Sequence, residues 1–142
     1  MTTSLFTDTI TLYNHYRHGR EKYWQRTVLR GVQWKQKIVH TASDTGSVVV
    51  ITETSVTIPV DVDANWRVYV RPLEFSMAED KENLWTLSPA DGGDLMIYGE
   101  CMTEISGDVT ADDLCKLGAV VVKAAKDNTL RQYLKHWKVV AI

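Results

Sequence analysis

The sequence predicts a mainly β fold, an antiparallel β-barrel or a small sandwich of six to eight strands with one or two short helices. Three observations carry this prediction. Residues 23–39 alternate apolar and polar side chains with a period of two, the pattern of a half-buried strand. Clusters of Gly, Pro, Asp and Asn punctuate the chain, as turns do. Further short runs of apolar and β-branched residues have the length of strands, at 47–60, 95–105, 119–125 and 136–142.

Length and composition predict one domain over residues 1–142, a barrel-like unit with a long N-terminal hairpin at about 7–40. The 142 residues can bury a core, and 44% hydrophobic with 24% charged residues is ordinary for a globular protein. No apolar run is long enough to cross a bilayer, and the first residues do not resemble a secretory signal. Cys101 and Cys115 lack CxxC spacing, which favours two reduced thiols.

The N-terminal hairpin begins with a predicted strand at 7–16. Residues 17–22 (RHGREK) form a polar turn around Gly19, and the long strand comes directly after it. Gly31 interrupts the apolar face of that strand and predicts a bulge. We therefore expect the long strand to pair at one end with the strand before it in the sequence and at the other end with the strand after it.

The next strand is predicted at 47–60, after a loop at 40–46. Valines and isoleucine occupy both faces of its first half, which predicts cover on both sides. Glu53 to Ser55 should bend the strand or split it in two. Pro59 lacks a backbone donor and indicates an edge or a strand end.

The middle of the chain predicts short elements. Residues 66–70 form a brief strand that turns Trp66 to the same face as Val68 and Val70. Ser76 begins a capping box with Glu79, so 76–83 is either one or two helical turns or a mobile acidic loop. Residues 85–87 are extended, and SPADGGD at 88–94 is the clearest turn of the sequence.

The last third predicts one strand, one helix and a closing pair of strands. Gly99 marks a bulge in the strand at 95–105. Thr110 caps a helix that Gly118 ends. The runs at 119–125 and 136–142 should pair, with a turn at 126–128 after the first of them.

Charge is segregated along the sequence, although the net charge is only −2. Residues 15–37 hold seven basic and one acidic residue, and residues 42–113 hold three basic and fifteen acidic residues. This predicts either two faces of opposite sign, which would suit head-to-tail assembly, or a fold in which the segments interleave and their charges cancel.

The sequence offers no catalytic, metal or cofactor site, and it predicts a non-enzymatic protein with no small-molecule ligand. The histidines do not form HxH or HxxxH motifs. Asp91 and Asp94 lack the spacing of a calcium loop, and Asp91 fits an Asx turn. The sequence has no GxSxG, Walker or dinucleotide-binding motif. The four histidines lie far apart, at His15, His18, His40 and His136.

An alternative function is binding of single-stranded nucleic acid by a small barrel, through the basic and aromatic segment 15–37. Such barrels stack bases on exposed aromatic rings beside Lys and Arg. Trp24, next to the charged turn, is the best candidate for an exposed ring. The competing interpretation places the remaining tryptophans in the core or an interface, and these are Trp34, Trp66, Trp85 and Trp137.

Several segments together resemble a family of small structural proteins of tailed bacteriophages and prophages, encoded among the head and neck genes. The resemblance covers nearly the whole chain and concerns structural motifs, none of them catalytic. Its residues are TITLYNHY at 9–16, TVLRGVQW at 27–34, TSVTIPV at 54–60, WTLSPADGGDLMIYGE at 85–100 and KDNTLRQYLKHWKVVAI at 126–142.

The resemblance implies a head-closure or head–tail connector subunit. Such a subunit forms a homo-oligomeric ring in the neck of the virion, retains packaged double-stranded DNA, touches it only in passing, and docks the tail. Its partners would be the portal or adaptor and the tail proteins, with no membrane. It would be made in the bacterial cytoplasm. Rivals within this class are a tail-terminator ring and a minor capsid protein. From their place at the turn, the residues expected to contact a neighbour or DNA are Arg17, Arg20, Lys22, Tyr23 and Trp24.

Overall fold

A computed structural model describes residues 5–42, 44–106 and 108–142. Within them the chain is mainly β, with eight strands and two short helices, as the sequence predicts. A 3-10 turn at Lys81–Asn83 lies between the fourth and fifth strands. The elements are β1 Asp8–His18, β2 Glu21–Ala42, β3 Val48–Pro59, β4 Val68–Tyr69, α1 Pro72–Met77, β5 Leu84–Trp85, β6 Leu95–Tyr98, α2 Ala111–Lys116, β7 Val120–Asp127 and β8 His136–Ala141.

Six strands form an antiparallel sheet that curls into a barrel. Their order is β1–β2–β3–β8–β7–β6, and β6 pairs in turn with β1, where Tyr13 lies opposite Leu95. The contact between β6 and β7 is thin, with only Leu95 and Met96 facing Val121 and Val120. The two remaining strands, β4 and β5, form a small parallel pair.

The long strand β2 serves both halves of the sheet. From Glu21 to Val32 it pairs with β1, and from Gln33 to Ala42 it pairs with β3. The change of partner coincides with Gly31, which has a φ of +90° and is skipped in the register, because Asp8 faces Val32 while Thr9 faces Arg30. The predicted hairpin, the bulge and the double use of this strand are therefore confirmed.

The inner faces of the strands meet in one apolar core. The β4–β5 pair brings Tyr69 and Trp85 against Trp137 of β8, with ring centroids 4.5 Å and 5.2 Å from that of Trp137. These rings interlock at an angle, the favoured geometry of aromatic packing. The core also contains the aliphatic side chains Ile10, Leu12, Leu29, Val32, Val56, Ile58, Met96, Val122 and Val139.

Helix α2 covers the outer face of β1 and β6. Its Leu114 packs with Tyr13, Leu95 and Ala119 in a second apolar cluster. The helix begins at a capping box, in which the Thr110 side chain accepts from the Asp113 N–H and the Asp113 side chain accepts from the Thr110 N–H. The predicted cap and helix are confirmed. No helix in the described residues is long and apolar enough to span a membrane.

Strand β3 corrects two predictions. It runs without a break through Glu53 to Ser55, because those residues pair in register with β2. The prediction of a bend or split there is wrong. The first half was also expected to be covered on both sides, yet Val48, Val49 and Val50 are exposed. Pro59 ends the strand, as predicted.

Three further boundaries differ from the sequence-based expectation. The strand expected at 66–70 shrinks to β4, and Trp66 is 64% exposed, since the chain turns at Asn65 with a φ of +62°. The first helix starts at Pro72, whose fixed φ suits the first helical position, so Ser76 lies near the end of the helix instead of capping it. Strand β6 stops before Gly99, whose φ of +87° ends the strand where a bulge was expected.

Candidate functional site

The tip of the first hairpin is fastened to the turn that precedes β6. The Arg17 guanidinium donates two hydrogen bonds to the Asp91 carboxylate, from Nε at 2.6 Å and from Nη2 at 3.0 Å. Lys22 donates from Nζ to the Asp91 carbonyl oxygen at 2.6 Å. Asp91 was interpreted as an Asx turn residue, whereas its side chain binds Arg17. Two of the five residues predicted to make assembly or DNA contacts, Arg17 and Lys22, are therefore both bound to Asp91.

The other predicted contact residues lie around the same tip. Tyr23 is exposed, stacks on Tyr16 with ring centroids 5.7 Å apart, and donates from its hydroxyl to Glu21 at 2.7 Å. Trp24 is half-buried, with the Lys22 ammonium 4.9 Å from its ring centroid, so it is less exposed than the sequence suggested. Arg20 lies in the exposed turn itself. The structure thus brings all five residues to one hairpin end.

Electrostatics at this tip favour a persistent ion pair. The hydrogen bonds from Arg17 are the main cause that lowers the pKa of Asp91 from 3.8 to about 2, and the positive charge of Lys22 adds to the effect. The carboxylate therefore stays ionised at all ordinary pH values, although the pair is exposed and its contribution to stability is small.

The basic segment 15–37 lies against acidic residues from the middle of the sequence. Arg26 Nε is 3.2 Å from Glu104, and Arg30 Nη2 is 3.1 Å from Glu100, both across more than 65 positions of sequence. Together with the Arg17 pair, these contacts support the interleaved interpretation of the charge pattern. Opposite charges are neutralised locally within the fold.

A buried polar cluster lies directly behind the tip. The Asp94 carboxylate is fully buried, accepts three hydrogen bonds and also contacts the His15 ring. Its Oδ1 accepts from the His15 backbone N–H at 3.0 Å and lies 2.5 Å from His15 Nδ1. Its Oδ2 accepts from Asn14 Nδ2 and the Ser88 N–H, both at 2.8 Å. The cluster holds β1 to the turn at 88–94.

Sequence reasoning missed the role of Asp94. It treated His15 as one of four scattered histidines and weighed Asp94 only as a calcium ligand. The available signal was positional, because an acid that comes after Gly92 and Gly93 and directly precedes an apolar strand is drawn into the fold with that strand. In the described residues no group of three or more His, Cys, Asp or Glu side chains is placed to hold a metal ion.

A second surface feature is a two-stranded arm that projects beyond the barrel. Strand β8 pairs with β3 only from Thr54 to Pro59, and β1 pairs with β2 only as far as Val32. Residues 37–42 and 48–53 therefore pair with each other and with no further strand of the described chain. We call these two segments the arm. Lys37 and Glu53 face each other at its base, with Nζ 3.5 Å from Oε1.

One face of the arm carries exposed apolar side chains together with His40 and Thr52. By register, this face continues the barrel-facing side of β2 and β3, on which Val56 and Ile58 are buried. On the arm the same side carries Ile38, Val48 and Val50, which are 64%, 65% and 59% exposed. The apolar alternation of β2 and β3 thus continues from the barrel onto the arm, where no core in the described part of the chain covers it. The sequence could not reveal this exposure, because apolar residues alternate with a period of two both in the barrel and on the arm.

Comparison with known proteins gives a family. A family model described as "Family of unknown function (DUF6751)" matches residues 5–142. The chain belongs to this family. No curated protein and no solved structure matches it. The matched residues include the barrel, the hairpin tip and the arm.

Proposed function

We propose that this DUF6751 member is a non-enzymatic structural protein of a tailed bacteriophage virion. Its role would be that of a head-closure or head–tail connector subunit, which forms an oligomeric ring in the neck, retains packaged DNA and docks the tail. The single observation that supports this best is the arm. An exposed apolar sheet face is unusual in a monomer and is typical of a surface that other subunits cover.

The rest of the fold is compatible with an assembly role. The core is filled by interlocked aromatic and aliphatic side chains, so the barrel is a solid body that can carry the arm and the hairpin tip at fixed positions. The hairpin tip offers Arg20 and Tyr23 on an exposed end for contacts with a portal, adaptor or tail protein. The resemblance of five sequence segments to phage neck proteins adds the biological setting.

The charge balance suits a DNA channel. Much of the positive charge of segment 15–37 is engaged by Asp91, Glu100 and Glu104, and the net charge of the chain is −2. A wall of this kind makes few phosphate contacts, so DNA would pass by it without being gripped.

The test is quantitative mass spectrometry of purified particles of the phage or induced prophage that encodes the chain. We expect the chain in the particles at a fixed ratio to the portal protein, equal to one ring. A ratio that tracks the capsid protein would replace the neck role with that of a shell protein. Absence from the particles would overturn the virion proposal.

A further inference from the structure

Neither edge of the arm is protected against pairing beyond its base. Lysine on an exposed edge strand is a common protection against association. On the β2 edge the exposed Lys37 lies at the base of the arm, opposite Glu53, and Lys35 comes two positions before it. From Ile38 to Ala42 the β2 edge has neither lysine nor proline, and the β3 edge from Val48 to Thr52 has no charge, no proline and no break in register. Both edges are therefore open to a further strand.

Pairing with a further strand would also stabilise the arm. An isolated pair of strands is marginally stable in water and becomes stable when further strands join or its apolar face is covered. Outside the barrel the arm has six residue pairs and leaves Ile38, Val48 and Val50 exposed on one face. Pairing along its edges would satisfy free backbone groups and shield part of these side chains.

Charge complementarity identifies the partner as a second copy of this chain. Lys37 and Glu53 lie opposite each other on one face of the arm, and Lys35 lies on the same face of β2 just before the arm begins. A β3 edge that meets the β2 edge of another copy brings Glu53 near lysines, as already occurs within one arm. An antiparallel pairing of two β2 edges, or of two β3 edges, would instead place Lys37 or Glu53 at opposite ends of the pair, with no Lys–Glu contact across it.

We propose that the arms of adjacent copies pair β3 to β2 in one continuing antiparallel sheet. This inference rests on the proposed function, because it names the contact by which the ring would form. Each copy uses two different edges, so the contact is heterologous and can close into a ring. On the face with the exposed apolar side chains, Ile38, Val48 and Val50 of successive arms then alternate across the sheet with Thr52, Ala42 and His40.

Two complementary variants test this pairing. Glu53→Lys makes both edges of the arm basic, and Lys35→Glu/Lys37→Glu makes both edges acidic. We expect each variant alone to need about tenfold higher concentration than the natural sequence to assemble, since every contact then opposes like charges. An equimolar mixture should assemble again, because each basic edge can meet an acidic one. Light scattering after size exclusion gives the mass, and native mass spectrometry shows whether both variants share one oligomer.

The matched control is Glu79→Lys, which makes the same charge change at an exposed position outside the arm and should assemble normally. Circular dichroism establishes that every variant is folded. A natural chain that stays monomeric at high concentration, or stops at a two-fold dimer, would overturn the pairing. So would a mixture that fails to regain the oligomer, or single variants that assemble like the natural chain. Particle composition tests the neck role separately, so the two proposals can fail independently.

Discussion

Arg17 donates two hydrogen bonds to the Asp91 carboxylate, at 2.6 Å and 3.0 Å, and so joins the tip of the first hairpin to a turn 74 residues later. This contact determines the ionisation of Asp91. Its pKa is about 2 in the folded chain, against an ordinary value of 3.8 for an aspartate side chain. Because the folded pKa is the lower one, the stabilisation from the pair is present above pH 3.8 and is lost as the pH falls through 2.

We expect Arg17→Gln to return the pKa of Asp91 toward its ordinary value, because the glutamine side chain is uncharged. Carboxyl carbon shifts measured by NMR from about pH 1.5 to about pH 6 report this directly. Asp113, whose pKa is lowered by hydrogen bonds from Thr110, is the internal control and should titrate unchanged. An Asp91 titration identical in both proteins would show that Arg17 does not hold the carboxylate.

Replacing Asp94 by Ala should lower the free energy of unfolding by about 3 kcal/mol, because it leaves buried donors on Asn14, His15 and Ser88 without their acceptor. Urea denaturation measures the loss. The matched control is Asp91→Ala, which removes an exposed carboxylate from the same turn and should cost much less. Equal losses at the two positions would contradict the structural role of the buried cluster.

Gly93→Ala should destabilise the barrel by at least about 2 kcal/mol. A Cβ at this position would lie 2.5 Å from the carbonyl oxygen of Val122 and 2.8 Å from Val121 Cγ1, and the φ is +92°. At Gly99 the φ of +87° is similar but no heavy atom lies within 4 Å of the added Cβ. Gly99→Ala therefore isolates the backbone cost, about 1 kcal/mol. Thermal unfolding should separate the two variants clearly, and matching midpoints would refute the close approach of β7.

Leu12→Ala and Leu130→Ala make the same chemical change in opposite surroundings. Leu12 is fully buried in the barrel core, and Leu130 is 95% exposed. We expect a loss of about 3 kcal/mol for Leu12→Ala, from the cavity it leaves, and a change within about 0.5 kcal/mol for Leu130→Ala. Chemical denaturation measures both. A large loss at Leu130 would mean that this side chain is covered in solution.

The sequence was sufficient for the strand framework because local rules agreed with the tertiary fold there. Each correctly predicted feature is determined by residues that are close together in the sequence. These features are the alternation of β2, the bulge at Gly31, the turn at 88–94 and the capping box at Thr110. It was also sufficient to place the five predicted contact residues at one hairpin end.

The features that the sequence could not supply depend on distant partners. Asp91 and Asp94 lie three positions apart, yet one binds Arg17 at the surface and the other is buried with His15. The exposure of Val48 to Val50 results from β8 ending its pairing at Thr54, a length mismatch between strands far apart in sequence. The period of apolar residues predicts which side of a strand a residue faces. It does not predict whether another part of the protein covers that side.

The order of the strands in the barrel also sets the order in which the protein can form during synthesis. Strands β1, β2 and β3 are consecutive and pair by hairpins, so they can associate early. The other edges of this three-stranded unit pair only with the later strands β6 and β8, and Thr54 can meet Ala141 only after residue 141 has left the ribosome. Until then Val56 and Ile58 remain open to water. The nascent chain therefore passes through a stage that invites aggregation, and its yield should depend on how quickly the last strand arrives.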